Sequence, residues 1–153
     1  DRTEILLEEE FSMVREYLAI EQARFPDRLK AEVVLSPEAG SCLVPPLLLQ
    51  PLLENAIRHG VSASPDAGSV GVRGVREGDR VVLEVSDDGP GMSNESPSPG
   101  SGTGLSNTRA RLEHAFNGQQ SMTVISPPGG GTLIRLEIPF RSEDDGLWGA
   151  HGG

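Results

Sequence analysis

The sequence predicts an α+β protein, a two-layer sandwich in which about three helices cover one face of a mixed, mostly antiparallel sheet of about five strands. Three observations carry this. Apolar residues recur at helical spacing in three stretches, 7–18, 49–57 and 105–116. Four alternating runs stand in two pairs, each joined by a short turn-rich segment, so each pair is antiparallel. A fifth, β-branched run lies between the first two helices, and helices interspersed with strands in this order fit two packed layers.

Thr3 to Phe25 reads as an amphipathic helix, with Leu7, Phe11, Val14 and Leu18 at heptad spacing. Glu8, Glu9, Glu10, Arg15, Glu16 and Glu21 are assigned to its solvated faces, and Pro26-Asp27 ends it. Leu29 to Leu35 is the first strand, closed by Ser36-Pro37. A turn-rich segment, 37–41, leads to Pro45-Pro46 and a central helix running to Gly60. Pro51 removes one backbone donor there, so a kink or a loosened first turn is expected. Ser69 to Arg76 and Arg80 to Ser86 form a hairpin about Glu77-Gly78-Asp79. Residues 92–102 are almost wholly Ser, Pro, Gly, Asn and Glu, a composition that buries nothing and predicts a mobile loop. A third helix begins at Gly104, carries Leu105, Thr108, Leu112, Ala115 and Phe116 on one side, and stops at Asn117-Gly118. Ser121 to Ser126 and Thr132 to Pro139 are the last strands. The boundaries expected are a connecting helix over 1–27, a core domain over 28–140 and an acidic, flexible tail over 141–153.

With 153 residues and a formal charge of −10, the chain suits one domain with a real core and lacks the basic stripe that nucleic-acid binding depends on. The single cysteine, Cys42, excludes an internal disulfide and points to a reducing compartment. The longest apolar run, Leu43 to Leu53, is broken by prolines and Gln50 and falls short of the ~20 residues a bilayer span needs. The chain opens in mid-pattern on Asp1-Arg2-Thr3, as a piece of a longer protein would.

The chemistry gathers in three places. On the central helix, Leu49, Leu52, Leu53, Ala56 and Ile57 share one face, and Asn55, Arg58 and His59 lie along another. The Asn55 amide oxygen suits a hard cation such as Mg²⁺, and Arg58 and His59 suit phosphate oxygens. The same residues also read as a surface pair, Glu54 with Arg58, and a helix-terminal cation. Asp87 ends a strand, and the glycines at 89 and 91 leave bare backbone beside it, so its carboxylate can accept from an exocyclic amine such as adenine N6 while a planar base passes over the glycines. Gly100-Ser-Gly-Thr-Gly104 leads into a helix, where bare amides favour phosphate. A Walker loop fails, because the only lysine, Lys30, is remote from any glycine run, and a dinucleotide fingerprint lacks its strand before the glycines.

In this order the motifs resemble the GHKL superfamily, which includes gyrase B, Hsp90, MutL and histidine kinases. Asn55-Ala-Ile-Arg-His59 resembles its N box, Asp87-Asp-Gly-Pro-Gly91 its G1 box, Gly102-Thr-Gly-Leu105 its G2 box and Gly130-Gly-Thr132 its last Gly-Thr element. Leu7 to Phe25, Leu49 to Gly60 and Gly104 to Leu112 are similar to the sensor histidine kinases of the LytS/YehU-like group, a likeness over about nine-tenths of the chain. It implies a Bergerat ATP-binding fold. Carried over position by position, Asn55 is the Mg²⁺ ligand, Arg58 the cation near the phosphates, and His59 takes the place of a more frequent aromatic. Asp87 reads adenine over Gly89 and Gly91. Gly102, Thr103, Gly104 and Leu105 form the exit of a lid over the phosphates, and Thr132 belongs to the nucleotide site. Where GHKL ATPases and anti-sigma serine kinases carry a glutamate four residues before the asparagine, this chain has Pro51, which disfavours both. Glu54 is the acidic neighbour that could assist proton transfer or position the metal, or simply pair with Arg58.

The implied activity is phosphoryl transfer from Mg·ATP to a histidine, then to a response regulator. The family's acceptor sits on an upstream helix, and the histidines here are His59, His114 and His151. The expectation is therefore a catalytic fragment without its own acceptor, from the cytoplasmic side of a membrane-anchored bacterial homodimer. The rival expectation is a nucleotide-binding signalling module without catalysis.

Overall fold

The computed structural model describes residues 4–58, 68–88, 99–126 and 130–142, with side chains left out at 99–106. The elements are β1 (Ile5–Leu6), α1 (Leu7–Arg24), β2 (Leu29–Leu35), β3 (Leu43–Val44), α2 (Gln50–Ala56), β4 (Gly68–Glu77), β5 (Arg80–Asp87), α3 (Pro99–Phe116), β6 (Ser121–Ile125) and β7 (Thr132–Pro139). Five strands form one sheet in the order β2-β4-β5-β7-β6. The β2–β4 pair is parallel and the other three pairs are antiparallel, the mixed sheet expected.

Side-chain alternation sets the two layers. Val70 and Val72 of β4, Leu83 and Val85 of β5, and Ile134, Leu136 and Ile138 of β7 are buried and join one core with Leu7, Phe11, Val14 and Leu18 of α1 and Leu49, Leu52, Leu53, Ala56 and Ile57 around α2. On the opposite face Arg73, Glu84, Arg135 and Glu137 are half-buried or exposed. Gly74 makes room for α1, since a Cβ there would stand 3.0 Å from the Phe11 ring and 2.9 Å from Leu35.

Helix starts differ from expectation. The first helix begins at Leu7 rather than Thr3, because Ile5–Leu6 pairs with Leu43–Val44 in a small antiparallel ribbon, and Glu9 accepts a hydrogen bond from the Leu6 N–H at its start. The central helix, Gln50–Ala56, starts at Gln50 rather than Pro46, and its expected end at Gly60 lies outside the described residues. Pro51 thereby falls in the first turn, where its missing N–H costs nothing. Leu47 ahead of it is left-handed at φ +61°, which no helix accommodates. The third helix starts at Pro99, within the segment expected as a loop. Proline suits a first turn, so the glycines after it do not mark the boundary. Residues 59–67, 92–98 and 143–153, which include much of the expected loops and tail, lie outside the described residues.

Two acidic residues assigned to the solvated side of α1 are inside: Glu10 is 1 % exposed and Glu21 6 %. They continue the apolar stripe, since 7, 10, 14, 17 and 21 step by three and four residues.

Candidate nucleotide site

Asp87 is the last residue of β5, on the helix-covered side with Leu83 and Val85. In register it lies opposite Thr132, the first residue of β7. Thr132 is 3 % exposed, and its Oγ1 is buried with no hydrogen-bond partner among the described residues. A buried hydroxyl left so is costly unless something else reaches it. Gly131, at φ +92°, brings the chain so near that a Cβ would stand 2.6 Å from the Asp87 carbonyl oxygen. The backbone before Thr132 can therefore approach Asp87 only as glycine.

Asp88 is used differently. Its Oδ1 accepts from Ser69 N–H (2.8 Å) and its own N–H donates to Ser69 O (3.2 Å), clamping the end of β5 to the start of β4. Adjacent carboxylates are thus divided between a strand clamp and the covered face.

Asn55 lies on α2, 6 % exposed, and α2 packs against β5 and α3. An amide so buried is inside the wall rather than on a rim. Glu54 and Arg58 are exposed, and Glu54 accepts from Gln50 Nε2 (3.3 Å) one turn back. Gly102, Thr103, Gly104 and Leu105 lie within α3, and His59, Gly89 and Gly91 lie outside the described residues. The site residues brought together directly are Asp87 and Thr132. The helix bearing Asn55 covers the strand that ends in Asp87.

The donor set fits an adenine nucleotide. A carboxylate and a hydroxyl with no partner among the described residues, on facing strand ends, supply an acceptor and a second polar group for a base edge. A lone amide oxygen suits Mg²⁺, which keeps several waters and completes its shell with phosphate. A separate cavity of about 450 Å³ is lined by Pro45, Leu47, Leu48, Thr108, Arg111 and Leu112, among others, none of them a predicted site residue. Among the described residues no helix is long and apolar enough to cross a membrane.

The family model described as histidine kinase-, DNA gyrase B-, and HSP90-like ATPase matches residues 46–142. The chain is 34% identical over 139 residues to the sensor histidine kinase BtsS of Escherichia coli, covering 91% of this chain and 24% of BtsS. It is 31% identical over 158 residues to the sensor protein LytS of Bacillus subtilis, covering 97% and 27%. The chain thus spans about a quarter of the length of the curated relatives it matches. The catalytic domain of histidine kinase ThkA has the same fold, with a TM-score of 0.70 at 20% identity over 92% of this chain and 96% of that one.

Proposed function

We infer the function from one premise: the chain belongs to the histidine kinase-, DNA gyrase B-, and HSP90-like ATPase family. We propose that it is the ATP-binding catalytic part of a LytS-like sensor histidine kinase, and that it passes the γ-phosphoryl group of Mg·ATP to a histidine on an upstream segment, for relay to a response regulator. The observation that carries this is the cross-strand register of Asp87 with Thr132, whose buried hydroxyl has no partner among the described residues, on the strand that the helix of Asn55 packs against.

In this reading Asp87 accepts from the adenine amino group and Thr132 supplies the neighbouring hydroxyl. Gly89 and Gly91 are assigned to the turn beneath the base. Asn55 gives its amide oxygen to Mg²⁺. Arg58 and His59 are assigned to the phosphates, and the α3 start carrying Gly102, Thr103, Gly104 and Leu105 to the lid over them. Bound Mg²⁺ supplies neutralisation of phosphate charge. Phosphoryl transfer asks little covalent chemistry of a protein, so the work of these residues is positioning and electrostatics. Glu54, exposed on α2, is the acidic residue assigned here to assist proton transfer or position the metal. In the full-length protein the partners are its dimerisation and phospho-acceptor helices and the regulator, in a membrane-anchored homodimer with this part in the cytoplasm.

The test is to supply the upstream helices as a separate polypeptide and follow label from γ-phosphate-labelled ATP. Label on the histidine of those helices, and none on this chain alone, is expected. ATP binding with no transfer to them contradicts the kinase reading and leaves a nucleotide-binding signalling module.

A further inference from the structure

Glu10 is buried in α1, but both its oxygens are spent on another element. Oε1 accepts from the Leu47 N–H (3.0 Å) and Oε2 from the Leu49 N–H (2.8 Å). These donors stand just ahead of α2, where no intrahelical carbonyl serves them. Leu49 occupies the N-cap position and offers no capping side chain, and Pro51 has no N–H. The start of α2 is therefore held by a carboxylate on α1.

Leu48 and Leu49 are also buried in the core, but the N–H groups of Leu47 and Leu49 are met by this one carboxylate. Leu47 is left-handed, a conformation costing a non-glycine residue roughly 1–2 kcal/mol, and is half exposed on the wall of the cavity of about 450 Å³. The opposite wall is α3, whose Arg111 faces Glu10 electrostatically. Burial also pushes the Glu10 pKa up, against the pull of the Leu49, Leu47 and Leu48 amides and Arg111. Two N–H groups directed at one buried carboxylate fix where the start of α2 sits on α1.

We propose that Glu10 is a positioning residue for the nucleotide site, fixing the start of α2 to α1 so that Asn55, about 9 Å further along the helix axis, is held at the metal position. This rests on the nucleotide reading above. It makes α1 and Asn55 move as one body, so a displacement of α1 alters the metal-dependent part of ATP binding.

The test compares the wild-type chain with Glu10→Gln and Glu10→Asp, using the exposed Glu16→Gln as control, by ATP titration with Mg²⁺ and with EDTA and by hydrogen exchange at the Leu47 and Leu49 amides. For Glu10→Gln, Mg·ATP affinity is expected to fall about tenfold while metal-free ATP affinity stays within about twofold, and both amides to exchange at least about tenfold faster. Glu10→Asp keeps the charge with a shorter reach, shows the same split more weakly, and is the deciding variant if Glu10→Gln does not fold. Equal losses with and without Mg²⁺ would mean a merely structural role and overturn the proposal, as would unchanged Mg·ATP affinity. A wild-type chain that binds ATP under neither condition contradicts the nucleotide reading itself, whereas wild-type binding unaltered in Glu10→Gln removes only the role of Glu10.

Discussion

Thr132 carries the least comfortable group at the proposed site, a buried hydroxyl with no hydrogen-bond partner among the described residues. Thr132→Val replaces it with a methyl of the same shape. The ligand-free chain should melt no lower than wild type, while ATP affinity drops by about 1 kcal/mol, since only the nucleotide satisfies that hydroxyl. Thermal melting with and without ATP checks both. Glu10 gives a second prediction at this scale. Its folded-state pKa is raised above its ordinary 4.5, chiefly by desolvation, so its favourable contribution is complete below that value and is lost as pH rises through the folded pKa. Wild type should therefore gain stability relative to Glu10→Gln as pH falls from neutral toward 4.5, and urea unfolding across that window reads the sign. Asp87 was legible from sequence, as a carboxylate at a strand end before glycines. Glu10 was not, because an acidic run at a helix start looks like a solvated face until the stripe 7, 10, 14 is counted.

The elements were legible where period and turn chemistry agree. The hairpin about Gly78 and the antiparallel β6–β7 pair follow from alternation and short connections. Their edges were less so: the β1–β3 ribbon is only two residues on each side, too short for a periodic signal, and its pairing is set by tertiary placement. Start positions of α2 and α3 turn on proline in the first turn, which sequence reads equally as a breaker. How α1 meets the sheet depends on Gly74, where Phe11 and Leu35 fill the space a side chain would take. Gly74→Val should overpack that contact and cost roughly 1–3 kcal/mol in urea unfolding, lowering ATP affinity little, since Gly74 pairs with Leu83 in mid-strand while Asp87 and Thr132 stand at the strand ends. A neutral outcome would mean that α1 is not seated against β4 as described.

At the scale of the whole molecule, one covered sheet face carries the core, and the proposed site sits where that face ends, at the finish of β5 and the start of β7. The sequence alone could order the boxes along the chain but could not say that residues 45 positions apart are cross-strand partners, because register is a property of the folded sheet. The most direct measurement is a Mg·ATP titration of the isotope-labelled chain, followed by backbone amide shifts, for wild type and Asp87→Asn. The account predicts shifts clustered at Asp87, Asp88, Gly131, Thr132 and Asn55, with affinity weakened by roughly 1–3 kcal/mol and an unchanged fold in Asp87→Asn. Shifts confined to the cavity lined by Leu47, Leu48 and Arg111, or an affinity indifferent to Asp87→Asn, would contradict it.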